Sequence, residues 1–285
     1  MDRTQLRGTG YAFATSALWG ATGIWVALLT ALPVSSTLLF RFLTAAVLLA
    51  PALLLSGGIH KPNRHGYGYG AGALLTGYYL FATVGFYFSN VVSVSLLVST
   101  SPFFVMLIRV CRRETLRGQE IIGGILAFAG VLVLIGGGTA ETAGRLPALG
   151  NFCGLGAAVT MALYSLAGPR LQGQGWTVVL ISCLLGALIS LPFAAPTLTL
   201  PDWPQWGLFV GLALFSTLAP GYLYPLACQR ITPTAATVIR LSTPFFTALF
   251  AWLILGQTLG LHHLLGAPLM LAGVYLTLPR ASSPA

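Results

Sequence analysis

The chain has 285 residues, 56% of them apolar and 7% charged, with a formal net charge of +9. Soluble globular proteins carry about 25% charged residues, so this composition excludes a charge-covered surface. It indicates an all-α integral membrane protein, and the basic excess reads as membrane topology rather than nucleic-acid binding.

Stretches of about 20 apolar residues, rising about 1.5 Å each, can cross a bilayer as helices. Ten are expected, over residues 10–30, 34–56, 67–88, 91–111, 119–137, 148–169, 175–195, 204–227, 234–254 and 259–279. The first follows Arg3 and Arg7 and is long for a signal-peptide core, so it reads as a retained span. Connections are short: Ser89-Asn90 joins the third and fourth spans, and Thr232-Pro233 lies between the eighth and ninth. The four cysteines (Cys111, Cys153, Cys183, Cys228) are scattered through apolar runs and read as free thiols rather than metal ligands or disulfides.

With the N-terminus inside, the internal segments hold Arg3, Arg7, Lys61, Arg64, Arg109, Arg112, Arg113, Arg117, Arg170, Arg230 and Arg280. The external segments hold Arg145 alone. The positive-inside rule therefore puts both termini in the cytoplasm.

A duplication runs through this pattern. Ser99-Thr-Ser-Pro-Phe-Phe-Val-Met-Leu107 is echoed by Leu241-Ser-Thr-Pro-Phe-Phe-Thr-Ala-Leu249, so Pro102 and Pro244 stand 142 residues apart. Downstream, Thr115-Leu116, Gly123 and Gly130-Val131 match Thr258-Leu259, Gly266 and Gly273-Val274. Upstream, Ala12, Thr15 and Ala17-Leu18-Trp19 match Ala157, Thr160 and Ala162-Leu163-Tyr164. Five spans per copy is an odd number, so the second copy runs through the membrane in the opposite sense. The expected domains are 1–145 and 146–285, two inverted five-helix repeats around a central cavity. Inverted repeats organise many secondary transporters, whose substrate sites lie near the midplane between the halves. The paired glycines recur at seven-residue spacing and read as helix-packing positions.

Pro102 and Pro244 are expected near mid-span, where each removes an N–H and frees the carbonyl one turn earlier, at Val98 and Arg240. One reading is a kink compensated locally by Ser99, Thr100, Ser101, Ser242 and Thr243. The favoured reading is a cavity lined by these hydroxyls, the freed carbonyls and the Phe rings. Trp19, Tyr78, Tyr79 and Tyr164 are expected at the same depth, and Pro220-Gly221 breaks the eighth span before Tyr222 and Tyr224. Arg41 and Arg240 each lie about 10 Å into a span. Either could snorkel to the interface or hold a carboxylate. The acids Asp2, Glu114, Glu120, Glu141 and Asp202 are expected in tails or loops, and His60, His65, His262 and His263 in loops or at the interface. Proton-coupled carriers commonly use intramembrane acids or His, so a carrier without obligatory proton antiport is expected. The chain lacks His-Glu-x-x-His and Gly-x-Gly-Asp, which argues against an intramembrane enzyme. A non-transporting assembly protein would not need broken, polar helices at the midplane.

Ten spans, the five-plus-five duplication, Arg41 in Arg-Phe-Leu-x-Ala-Ala, Ser/Thr-Pro in spans four and nine, and Glu114-Thr-Leu with Gly123 and Gly130 together resemble the drug/metabolite transporter superfamily, EamA type. Within it the chain looks most like bacterial aromatic amino acid exporters. The resemblance implies a ten-helix basket in a bacterial inner membrane and export of small metabolites by alternating access, with no cofactor. It implies the lipid bilayer and a small-molecule amino acid substrate as partners, no nucleic acid, and a monomer or weak homo-oligomer. The cavity positions it carries over are Trp19, Tyr78, Tyr79, Ser101, Pro102, Phe103, Tyr164, Ser242, Thr243, Pro244 and Phe245, with Arg41 and Arg240 as carboxylate candidates. Gly256-Gln257-Thr258 departs from the family, which often has glutamate before the threonine. Export of other organic metabolites or cationic drugs is the alternative.

Overall fold

The computed structural model describes residues 2–29, 31–55, 66–89, 91–136, 146–256 and 260–278. The expected domain boundary after residue 145 and the expectations at His60, Lys61, Arg64, His65, Asn90, Glu141, Arg145, Gln257, Thr258, Leu259 and Arg280 lie outside them.

The described residues form α-helices α1 (Arg3–Gly20), α2 (Thr22–Leu28), α3 (Val34–Leu55), α4 (Tyr67–Phe88), α5 (Val91–Val98), α6 (Ser101–Cys111) and α7 (Gly118–Gly136). They continue with α8 (Pro147–Ala167), α9 (Gly175–Ala194), α10 (Trp203–Ala213), α11 (Ala219–Cys228), α12 (Pro233–Ile239), α13 (Thr243–Leu255) and α14 (Leu261–Thr277). A π turn, Leu214–Leu218, joins α10 to α11, and a 3-10 turn, Arg240–Ser242, joins α12 to α13.

Among the described residues eight helical stretches are long and apolar enough to cross a membrane: the whole series from α3 to α13, with α5–α6, α10–α11 and α12–α13 each counted as one. The expected first and last spans fall short by length or polarity. The first is broken at Ala21 into α1 and α2, and α1 carries Arg3 and Arg7; α14 has 17 residues. Large apolar side chains are exposed on the outside of the bundle, among them Val47, Ile122, Phe152, Leu188, Phe193 and Leu264. Such a continuous apolar exterior suits lipid and not water.

Small residues set the closest helix contacts. α7 and α14 run antiparallel: Gly123 faces Gly273 and Thr277, while Gly130 faces Met270 and Gly266 faces Leu134. A methyl at Gly123 would come 2.6 Å from the Gly273 carbonyl oxygen. The glycines read from sequence as packing positions therefore form one seam. α3 and α9 are antiparallel too, with Ser36 at Thr197 and Phe42 at Gly186. α4 packs on α8, and α1 on α11.

The prolines expected mid-helix sit elsewhere. The α5–α6 stretch is interrupted at Ser99-Thr100, and Pro102 lies in the first turn of α6. Pro244 is the second residue of α13, just after the 3-10 turn. Proline is tolerated in a first helical turn, so the chain breaks the helix before the proline instead of bending through it, and the carbonyl four residues earlier lies across that break.

Candidate functional site

Prolines make the site by freeing carbonyls. Each proline withholds the N–H that would bond the carbonyl four residues earlier. Three such carbonyls face the bundle interior, and each is met by a side chain from another helix. The Val98 carbonyl, freed by Pro102, accepts from Arg240 Nη2 at 3.2 Å. The Ser216 carbonyl, freed by Pro220 within the π turn, accepts from Arg41 Nη2 at 2.9 Å. The Gly221 carbonyl, freed by Pro225, accepts from the Tyr164 hydroxyl at 3.1 Å. Buried polar groups in an apolar medium require such partners.

Arg41 and Arg240 therefore point into the bundle and do not snorkel. Their exposures are 2% and 5%. Arg41 also donates from Nε to Thr217 Oγ1 (2.9 Å) and from Nη1 to Thr83 Oγ1 (3.5 Å), and its guanidinium lies 4.4 Å from the centre of the Tyr79 ring. Arg240 also donates to Ser101 Oγ at 2.6 Å and stands 6.0 and 5.8 Å from the ring centres of Trp19 and Tyr78. Its Nε is buried without an acceptor.

Aromatic rings bridge the two arginines. Tyr79 contacts Tyr78 (5.4 Å between centres), Tyr78 contacts Trp19 (5.3 Å), Trp19 contacts Tyr224 (5.5 Å) and Tyr224 contacts Tyr164 (6.0 Å). All five rings are buried. They come from α1, α4, α8 and α11, so both sequence repeats contribute. The rings fill the space where an open cavity was expected, giving an occluded arrangement.

Seven of the expected residues thus meet in one cluster: Trp19, Arg41, Tyr78, Tyr79, Ser101, Tyr164 and Arg240. Ser242 is buried close by and donates to the Ile239 carbonyl at 2.7 Å, and Thr243 donates to the Arg240 carbonyl at 2.7 Å. Pro102 is buried beside Ser101. Phe103 turns to Phe128 of α7, at 5.2 Å between ring centres. Pro244 is half-buried. Phe245 lines an apolar cavity of about 270 Å³ between α7, α13 and α14, together with Leu134, Leu249, His263 and Ala267. Tyr224, Thr217, Ser216 and Thr83 belong to the cluster but were not among the expected site residues. Tyr224 was findable: it stands 145 residues after Tyr79, as Tyr164 does after Trp19.

A second polar group closes one end of the bundle. Glu120 was expected in a tail or loop; it lies in the first turn of α7 and is 4% exposed. It pairs with Arg109 at 3.2 Å and accepts from Thr232 Oγ1 at 2.9 Å, while Arg109 also donates to Thr234 Oγ1 at 2.7 Å. An N-terminal carboxylate is favoured by the helix dipole and free amides there, and Arg109 offsets its burial. The knot ties α6 and α7 to the start of α12. Arg117 and Arg230 stand at the same end, as does Arg170, whose 3-10 turn packs at Gly168 on Cys228.

The sequence profile of the EamA-like transporter family matches residues 6–136 and again residues 148–278. The chain belongs to the EamA-like transporter family. It is thus a multi-pass membrane transporter whose two halves match the same EamA profile. An uncharacterized transporter of Archaeoglobus fulgidus is 24% identical over 275 residues, covering 92% of this chain and 94% of that protein. The uncharacterized transporter YyaM of Bacillus subtilis is 24% identical over 258 residues, covering 84% and 83%. A solved crystal structure superposes with a TM-score of 0.81 at 19% identity, covering 94% of this EamA-like chain and 95% of the other. That likeness concerns the fold.

Proposed function

We propose that this transporter exports amino acids, aromatic or large neutral ones preferred, by alternating access between two inverted five-helix halves. The observation that carries this reading is the buried aromatic cluster flanked by Arg41 and Arg240, built from both repeats. Rings of this kind suit the apolar body of such a substrate, and an arginine suits its carboxylate.

Ten spans are read by counting α1–α2 as the first and α14 as the last. Two observations support the inversion. Helices that the repeat makes equivalent, α3 with α9 and α7 with α14, are antiparallel neighbours. The pairing of α4 with α8 has its repeat counterpart in the pairing of α11 with α1. The domains then meet near residue 145, and the arginine-rich end faces the cytoplasm with both termini. The Arg109–Glu120 knot closes that face in the occluded conformation.

No obligatory proton coupling is required. Among the described residues Asp2, Glu114 and Asp202 are exposed, and Glu120 is already paired with Arg109. Counterflow into proteoliposomes, run across a panel of amino acids, tests the function. Accelerated exchange is expected for Phe, Tyr and Trp, and no exchange of any amino acid would falsify it.

A further inference from the structure

We infer that a free carboxylate is the obligatory recognition element of the substrate and that an ammonium group is dispensable, so that aryl carboxylates without an amine are substrates too. This rests on the reading that the arginine–aromatic cluster is the substrate site.

The cluster has cationic donors to spare and no anionic acceptor. Every carbonyl that prolines free into it is occupied: Val98 by Arg240, Ser216 by Arg41, Gly221 by Tyr164. The hydroxyls nearby are engaged too: Ser101 accepts from Arg240, Ser242 donates to Ile239 and Thr243 donates to the Arg240 carbonyl. An incoming ammonium therefore finds only neutral acceptors, the remaining hydroxyl and carbonyl lone pairs with the unpartnered Ser216 Oγ among them, beside two guanidinium charges that repel it. Among the described residues no carboxylate joins the cluster, since Glu120 is the one buried acid and it is engaged by Arg109 and Thr232.

The donors tell the opposite story. Arg240 Nε is buried and has no acceptor. The Trp19 indole N–H, near the Tyr79 hydroxyl, also makes no bond of hydrogen-bond geometry. Trp19 and Arg240 are neighbours, at 6.0 Å between guanidinium and ring centre. Two buried guanidiniums without a counter-charge are costly, and an anion entering beside Arg240 relieves both the charge and the orphaned N–H groups. Arg41 is less available, because its three nitrogens are all engaged.

Three probes sharing one phenyl ring separate the charges: 3-phenylpropanoate, phenethylamine and L-phenylalanine. Purified full-length protein is titrated with each while its melting temperature is followed. The expected result is stabilisation by phenylpropanoate with an apparent affinity within about threefold of phenylalanine, and none by phenethylamine at tenfold higher concentration. Arg240→Gln should weaken both carboxylates at least tenfold. If that variant does not fold, Trp19→Phe keeps a ring, removes the N–H, and should weaken them about three- to tenfold. Stabilisation by phenethylamine, phenylpropanoate binding more than tenfold weaker than phenylalanine, or unchanged carboxylate binding in the folded variants overturns the inference. Phenylpropanoate binding without any amino acid counterflow leaves the inference standing and removes the amino acid reading. Binding by none of the three probes removes the inference, whatever the counterflow panel shows.

Discussion

Arg240 donates a hydrogen bond to the backbone carbonyl of Val98 at 3.2 Å, and the two residues stand 142 positions apart, at equivalent places in the two repeats. One copy of the repeat thus supplies the donor for a carbonyl that the broken helix of the other copy leaves bare. The same Arg240 nitrogen binds Ser101 Oγ at 2.6 Å. Ser101→Ala removes that acceptor and leaves a buried guanidinium hydrogen unmet, a loss of about 1–3 kcal/mol. Ser99→Ala, whose hydroxyl only bonds back to Ser95 in its own helix, should cost under about 0.5 kcal/mol. Thermal unfolding of the two variants side by side checks the difference, and equal losses would count against it.

The proline rule can be tested by a double-mutant cycle. Tyr164→Phe strips the donor from the Gly221 carbonyl and should destabilise by about 1–3 kcal/mol. Pro225→Ala returns a backbone N–H to that carbonyl. In the Pro225→Ala background, Tyr164→Phe should be nearly neutral, a coupling of about 1–3 kcal/mol between the two positions. Additive effects would show that the hydroxyl is not there to replace the missing amide.

The Arg109–Glu120 knot should hold the arginine-rich end shut. Glu120→Ala leaves Arg109 one carboxylate partner, Glu114 on its exposed side at 3.0 Å, and removes its buried charge-assisted bonds, a loss of about 1.5–3 kcal/mol. Thr234→Cys, in a Cys111→Ser background because Cys111 is exposed, should then react with an impermeant maleimide at least tenfold faster, in membranes opened on that face. An unchanged rate refutes the gate.

Trp19→Ala and Tyr78→Ala should reduce counterflow of phenylalanine and tryptophan about tenfold or more, and of alanine far less. Removing an aromatic side chain forfeits contact with a ring but little with a methyl. Parallel losses for both substrate classes would separate the cluster from substrate selection.

Collapsing the proton gradient with the substrate gradient held fixed should leave flux within about twofold, since the buried acid is a partner of Arg109 rather than a free site. Abolished flux would contradict an uncoupled carrier.

The repeat, the glycine seam between α7 and α14 and the aromatic positions were legible because each leaves a periodic mark in the sequence. The arginines were legible as residues but not as roles, because snorkelling and inward pairing start from the same position in a span. What separates them is the acceptor, and the acceptor is a backbone carbonyl that carries no letter of its own. Counting four residues back from a proline finds it: Val98 and Arg240 for Pro102 and Pro244, and equally Ser216 and Gly221 for Pro220 and Pro225. Glu120 was misplaced for a different reason: three residues past Arg117 it reads as loop, yet a buried helix start accepts a carboxylate when an arginine from α6 reaches it.

The two ends of this scaffold do not carry the same lock. At one end Arg109 and Glu120 form an ion pair; by sequence the repeat-equivalent positions are Ala251 and His263, which the proposed inversion puts at the other end, and His263 lines the apolar cavity with Phe245. Under the alternating access proposed above, opening toward one side would break charge-assisted bonds, and opening toward the other would separate apolar surfaces. The two open conformations would then differ in population, and substrate should half-saturate the carrier at different concentrations on its two faces. Detailed balance still requires the ratio of maximal rate to that concentration to be the same in both directions when no other gradient is harnessed. A lopsided carrier of this kind acts as a one-sided sensor of concentration without being a pump.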